Sequence, residues 1–234
     1  MFGGNALHGV INVKSINTVG NSNLNFQVDK NDSIRSKLIY KRIKNTAVGF
    51  DFAKDKGFRN RSGFDQQKFV IKNSKDIEDW SLQTLISFTN LNQETAGYIN
   101  SYLYPTRIDN INPEAYRDAK SLRIKTEISK TLEKYNVHFI PYLRFSSMEF
   151  IQHYLPGKPI EKNGQKSTGL KFKLSELEIN DNLFEIGSQI EIAFVNLDQF
   201  QPDALDSPNA FNNAVRPQGY HYAVSYTHLT LPTN

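Results

Sequence analysis

Aromatic and basic side chains are concentrated between residues 91 and 119, and they are the first candidates for ligand contact in this sequence. Aromatic rings stack on flat ligands, and arginine forms charge-assisted hydrogen bonds with anions. The combination suits a flat, anionic or catecholate-like ligand. Alternatively, the tyrosines pack this segment against its neighbours or form an aromatic girdle at a membrane surface. The candidates are Tyr98, Tyr102, Tyr104, Arg107, Tyr116 and Arg117, with His153 and Tyr154 as weaker ones farther along the chain.

The sequence lacks the residue sets that covalent or metal-dependent chemistry requires. Cysteine is absent, and the five histidines show no metal-ligand spacing. No Gly-x-Ser-x-Gly element is present to carry a nucleophile. We therefore expect no enzyme activity, no catalytic residue, no metal site and no cofactor. The formal net charge of only +4, with both signs scattered along the chain, argues against a nucleic-acid partner.

Several segments alternate between apolar and polar residues, which is the signature of β-strands. Successive side chains of a strand point to opposite faces of a sheet, so the apolar members of each segment share one face. No apolar run approaches the roughly 18 residues of a membrane-spanning helix. The main alternating segments are Trp80–Phe88, Leu122–Ile128, Val137–Phe145, Leu170–Leu174 and Phe184–Phe194, and shorter ones lie at 24–28 and 48–52.

The connections between these segments are alternately short and long. An up-and-down membrane β-barrel has this arrangement, with short turns at one end and longer loops at the other. Strands of about 9–11 residues are also long enough to cross a membrane when tilted. A soluble antiparallel sandwich or barrel is the alternative. The short connections are 42–45, 74–79, 133–136 and 176–182, and the long ones are 54–66, 91–119, 152–165 and 198–220.

Charged residues lie in the middle of the predicted strands, on the face opposite the Phe, Ile and Leu residues. In a membrane barrel this polar face lines a wet lumen while the apolar face contacts lipid. In a sandwich it is an ordinary solvated outer face. The predicted lumen-facing residues are Arg123, Lys125, Arg144 and Lys171.

A glycine-rich motif near the N-terminus consists of Gly4, Asn5, Ala6, Leu7, Gly9, Val10, Ile11 and Asn12. It resembles the element that ends the plug domain of TonB-dependent outer-membrane receptors, just before their first barrel strand. Residues 92–99, 112–119 and 155–159 are similar to extracellular-loop elements of the iron-complex branch of that family. The glycines of the motif permit tight turns and close backbone approach.

The resemblance and the alternation together predict an all-β chain. The expected fold is a partial up-and-down antiparallel transmembrane β-barrel, seen as a curved open sheet of about nine strands. The last strand of a plug domain precedes it. Residues 1–20 are expected to be the end of the plug and a linker, and residues 21–224 the first part of the barrel. Residues 225–234 continue no upstream pattern and are expected to be a non-native tail.

The resemblance implies a receptor of the outer membrane that binds a ferric-siderophore-like complex outside the cell and transports it into the periplasm. The implied partners are the TonB energy-transducing complex, acting through a plug region that is mostly missing here, the ferric chelate or a similar scarce nutrient, and outer-membrane lipid. The long loops, above all residues 91–119, are expected to carry specificity. The alternatives are a receptor of the same family for cobalamin or a glycan, and a soluble or secreted β-sandwich binding module, for instance for carbohydrate.

Overall fold

The computed structural model describes residues 15–29, 32–95, 110, 112–153, 155, 157–179, 182–200 and 215–230. These residues form ten β-strands in one sheet. No helix in this part of the chain is long and apolar enough to cross a membrane. The strands are β1 (Asn23–Asp29), β2 (Ser33–Ile43), β3 (Thr46–Asp55), β4 (Phe64–Ile77), β5 (Trp80–Glu94), β6 (Tyr116–Thr131), β7 (Asn136–Ile151), β8 (Ile160–Ile179), β9 (Asn182–Phe200) and β10 (Val215–Thr230).

The strands follow one another across the sheet in chain order, and every neighbouring pair is antiparallel. This confirms the predicted all-β, up-and-down open sheet. There are ten strands rather than about nine. The backbone of β10 includes residues 225–230, whose non-native origin stays a prediction. Residues 15–22 carry no strand, and the glycine-rich motif at 4–12 lies outside the described residues.

The strand registers divide the side chains into two faces. Ile86 pairs with Ile124, and Ile124 pairs with Leu143, so the large apolar residues line up across the sheet. We call this side the apolar face and its opposite the polar face. The row on the apolar face that contains Phe88 reads Leu38, Phe50, Phe69, Phe88, Leu122, Phe145, Lys166 and Phe194 from β2 to β9.

Large apolar side chains are exposed on the apolar face and small side chains are buried on the polar face, which is the reverse of a soluble protein. On the apolar face Phe194 is 48% exposed and Ile190 is 55% exposed. On the polar face the small side chains of Ser167 and Ala193 are buried. Side chains converge on the concave side of a curved sheet and diverge on its convex side. The pattern therefore indicates that the polar face is concave. In the described part of the chain, no second sheet covers the apolar face, as a sandwich would require.

The apolar face has an uncharged band bordered by a polar zone. On β5, β6 and β7 this band comprises the apolar-face positions of 80–88, 122–128 and 137–145, none of which is charged. Toward the long loops the same face becomes polar within one row. There the Asn90 side-chain amide donates to Gln67 Oε1 at 2.6 Å, and the Tyr116 hydroxyl donates to Glu149 Oε1 at 2.6 Å. We call this zone the polar collar. A lipid-facing band ending in hydrated residues is the profile expected of a membrane barrel.

Short connections and long connections lie at opposite ends of the sheet, as predicted. The short ones are 44–45, 78–79, 132–135 and 180–181, and the longer ones are 56–63, 95–115, 152–159 and 201–214. The brief connection 30–32, between β1 and β2, is the exception because it lies at the long-loop end. Asn45 adopts a φ of 56° in the first short turn, a left-handed conformation that asparagine tolerates better than most residues.

Successive short turns are offset along the register. Thr46, beside the first turn, pairs with Asn73, yet β4 continues past Asn73 to Ile77. Asn136, beside the third turn, pairs with Ser175, and β8 continues past it to Ile179. Between the second and third turns the offset is smaller, since Ser81 pairs with Ser129 and β6 ends at Thr131. Offsets in one direction are the shear that tilts the strands of a barrel.

The strands are longer at their loop ends than the sequence predicts. β8 begins at Ile160, within the predicted connection 152–165, and β6 begins at Tyr116, within the predicted connection 91–119. The prediction was wrong there because both faces of these extensions carry polar residues. Asn163 and Lys162, for example, are neighbours on opposite faces. The alternation therefore disappears before the strand ends.

Two glycines of β8 offer a direct test of the register. An added Cβ at Gly169 would lie 2.4 Å from Cζ of Tyr142, whereas at Gly164 the nearest atom is the Ser146 carbonyl oxygen at 3.7 Å. We expect Gly169→Ala to lower the free energy of unfolding by roughly 1–3 kcal/mol through overpacking. Gly164→Ala should leave it unchanged or slightly higher. Chemical unfolding followed by fluorescence measures both, and equal stabilities of the two variants would contradict the register.

Candidate functional site

Four basic residues come together on the polar face of three consecutive strands. Arg123 and Lys125 lie on β6, Arg144 on β7 and Lys171 on β8. The registers place them together, since Arg123 pairs with Arg144 and Lys171 pairs with Ile140 beside Tyr142. All four residues predicted to face a lumen therefore share one face. We call them the basic cluster.

A carboxylate from β9 anchors one side of this cluster. Glu191 forms an ion pair with Arg144 and accepts a hydrogen bond of 2.8 Å from the Tyr142 hydroxyl. The same hydroxyl accepts a hydrogen bond of 2.7 Å from the Gln189 side-chain amide. Tyr142 is thereby held over Gly169, where only a residue without a side chain leaves room for its ring. The network fixes Arg144 and Tyr142 relative to the backbone of β8 and β9.

The Tyr142 ring is also in reach of two cations. The Arg144 guanidinium carbon lies 5.4 Å from the ring centroid, and Lys171 Nζ lies 5.9 Å from it. A ring face attracts cations through its quadrupole. Tyr142 thus keeps two positive charges on the same patch of the polar face, which would otherwise repel each other.

A cavity of about 360 Å³ opens between these residues, lined by Arg123, Lys125, Tyr142, Arg144, Lys171 and Gln189 together with aliphatic neighbours. Among the described residues, Arg123, Lys125 and Lys171 form no ion pair. The cavity therefore carries more positive than negative charge. Such a surface attracts and binds anions by electrostatics and charge-assisted hydrogen bonds.

A second polar network lies nearer the short turns on the same face. His138 places Nδ1 3.2 Å from Glu127 Oε1 and Nε2 3.1 Å from Ser175 Oγ. In the described part of the chain, no three His, Asp or Glu residues are grouped as a metal site would need. The two contacts of His138 join β7 to β6 and to β8.

The other predicted ligand-binding residues are only partly within the described chain. Arg117 lies on the polar face, with its guanidinium 5.9 Å from the Phe150 ring centroid. Tyr116 lies on the apolar face and donates to Glu149, so the two sequence neighbours do not share a face. His153 lies in the connection 152–159. Residues Tyr98, Tyr102, Tyr104, Arg107 and Tyr154 lie outside the described residues, and their role stays a prediction.

The fold can be compared with solved structures. It resembles that of a known transporter. The match is to the crystal structure of the ferric citrate transporter FecA in the unliganded form, with a TM-score of 0.56 and 11% sequence identity. It covers 71% of this chain and 26% of the FecA chain, so the chain spans about a quarter of that protein. No protein family and no curated protein matches the sequence. The likeness to FecA therefore shows a partial β-barrel fold.

The sequence did not identify the residues that complete the basic cluster. Tyr142, Gln189 and Glu191 all alternate as polar-face residues, so their face was predictable. Their mutual contact was not, because Tyr142 and Glu191 are 49 positions apart and meet through the register of β7, β8 and β9. The one local signal was Gly169 among larger residues, which marks a place where a neighbour approaches the backbone closely.

An ion pair joins two of the long connections. Lys158 Nζ lies 3.2 Å from Glu114 Oε1. A hydrogen bond from the Glu114 backbone amide, and then the one from Lys158, hold the pKa of Glu114 below its ordinary value of 4.5. The pair is therefore complete above pH 4.5 and is lost as the pH falls through the lowered pKa.

We expect a carboxyl NMR titration to show this lowered pKa of Glu114. Lys158→Met should raise the pKa toward 4.5 without fully restoring it, because the backbone hydrogen bond remains. Lys162→Met, whose lysine pairs with Glu149 instead, should leave the pKa of Glu114 unchanged. An unchanged Glu114 titration in Lys158→Met would show that the two connections are not joined in this way.

Proposed function

We propose that this chain is part of the barrel of a TonB-dependent outer-membrane receptor that binds an anionic ferric chelate and transports it into the periplasm. The observation that carries the proposal is that the two faces of one sheet, whose strands are offset along the register, differ sharply in polarity. One face carries an uncharged apolar band on β5, β6 and β7, and the other holds the basic cluster. The glycine-rich motif at residues 4–12 and the FecA-like fold support the same family.

The basic cluster suits a site along the path of the chelate rather than a site of chemistry. Arg123, Lys125 and Lys171 supply positive charge without a described ion-pair partner, while Glu191 anchors Arg144. Ferric chelates of the citrate and siderophore kind carry oxygen ligands that arginine and lysine can hydrogen-bond. A concave basic surface raises the local concentration of such an anion. No bond of the substrate is made or broken.

The proposal divides recognition between two levels of the barrel. The tyrosines and Arg107 of the connection 95–115 meet the chelate first and set specificity, because loops on a rigid scaffold adapt to ligands. The basic cluster lies deeper and guides the anion inward. The TonB complex supplies the work through the plug domain, and outer-membrane lipid surrounds the apolar face.

Two alternatives to this function differ in how they fit the described sheet. A receptor of the same family for cobalamin or a glycan uses the same barrel, but neither ligand accounts for a cluster of four cations. A soluble sandwich module requires a second sheet over the apolar face, and Ile190 and Phe194 are exposed there instead. The ferric chelate is therefore the substrate class that the geometry favours.

We expect the combined change Arg123→Gln, Lys125→Gln and Lys171→Gln to lower uptake of a ferric chelate roughly tenfold, because focusing of the anion is lost. The measurement is growth of an iron-starved bacterium on that chelate as sole iron source, with the full-length receptor that contains this chain. A matched control removes three cations near the short turns, by Lys44→Gln, Lys75→Gln and Lys134→Gln. Equal uptake by both variants at equal outer-membrane levels would refute the role of the cluster.

The predicted role of the long loops has its own test in the same assay. Tyr104→Ala combined with Arg107→Ala should weaken uptake more than Lys171→Gln alone, because Lys171 is one of four cations. Normal uptake by the double variant, at normal receptor levels in the outer membrane, would show that specificity resides elsewhere.

A further inference from the structure

A groove of about 580 Å³ lies on the apolar face where the uncharged band meets the polar collar. Phe145 and Phe194 form apolar walls, and Lys120 and Lys166 stand at its margins. Lys166 pairs with Phe145 on one side and Phe194 on the other, so a single cation interrupts the aromatic row. This position is at the edge of the band, since Leu170 and Phe172 follow on the same face of β8.

The floor of the groove is low because its residues are small. Ser147 of β7 pairs with Gly164 of β8, and Lys120 of β6 pairs with Ser147 in the same row. An added Cβ at Gly164 would meet nothing closer than 3.7 Å. The depression thus lies between the two lysines, open to the outside of the sheet.

The two lysines keep their charge available. Among the described residues, neither Lys120 nor Lys166 forms an ion pair. Glu149 of the polar collar is occupied by Tyr116 and by Lys162, whose Nζ lies 2.9 Å away. Asp118, two residues before Lys120 on the same face, interacts with Lys120 electrostatically. The groove therefore has a positive margin next to an apolar wall.

We propose that this groove binds an anionic, phosphate-bearing membrane lipid, with the phosphate between Lys120 and Lys166 and an acyl chain along Phe145 and Phe194 toward the band. The inference rests on the proposed membrane location. Lysine at the edge of an apolar band extends its ammonium to the headgroup level and attracts anionic lipid there. The aromatic walls match the acyl region just below that level.

The test uses the full-length receptor, purified from outer membranes in detergent. Native mass spectrometry measures the binding of phosphatidylglycerol and of phosphatidylcholine with the same acyl chains. We expect phosphatidylglycerol to bind more tightly. Lys120→Gln with Lys166→Gln should weaken its binding roughly tenfold. The control Lys68→Gln with Lys72→Gln removes two cations from the polar face and should leave it unchanged. Gly164→Leu, which fills the floor and keeps both lysines, should also weaken it.

Each remaining outcome decides against a stated part of the inference. Equal binding of the two lipids, or unchanged binding in both groove variants, overturns the lipid site while leaving uptake of the chelate untouched. Full competition by equimolar inorganic phosphate would assign the lysines to a free anion and overturn the lipid. If the fractionation that precedes purification recovers the receptor with the soluble proteins rather than with the outer membrane, the proposed function and the lipid site are overturned together.

Discussion

Backbone pairing between neighbouring strands is the interaction on which the rest of this structure depends. Among the described residues the buried apolar side chains are small, namely Pro159 and the alanines Ala47, Ala53, Ala115 and Ala193, so there is no conventional core of large residues. The ladder satisfies the backbone N–H and C=O groups within the sheet, which is the condition for strands to face lipid. It also fixes the parity of every side chain. A slip of one residue would move the basic cluster to the apolar face.

The alternation of side chains between the two faces explains which parts of the molecule the sequence could predict. Ile86, Ile124 and Leu143 alternate with polar neighbours, so their common face follows from the sequence alone. The strand extensions around Asn163 and Gly164 could not be predicted, because both of their faces are polar. The polar composition of the turn at 44–45 predicted that turn. The strand before it, β2 (Ser33–Ile43), has no clear alternation from which a strand could be predicted.

For the candidate site, the sequence predicted the face on which each residue lies but not the contacts between the side chains. The two-residue alternation of each strand alone places four basic residues on the polar face: Arg123, Lys125, Arg144 and Lys171. The bonds of Tyr142 to Glu191 and Gln189 depend on registers that join distant segments. Register is set by the sum of many weak pairings, and no single residue encodes it. The loop residues Tyr98 and Arg107 are a different case. Their side-chain types suggest ligand contact from the sequence alone, but both lie outside the described residues.

The same three strands carry both proposed ligand sites, and the sheet keeps them separate. On β6, Arg123 faces the basic cluster, while Leu122 faces outward in the row that leads to Lys166. On β7, Arg144 and Phe145 divide in the same way. Adjacent residues thus serve a wet, concave surface and an apolar, convex one, with the backbone ladder between them. The backbone layer keeps side chains on opposite faces from touching. Charged residues can therefore cluster on the polar face without contacting the apolar band. Separation of the two faces by one backbone layer is what allows a basic cluster and an exposed apolar band to coexist in a sheet without a core of large residues.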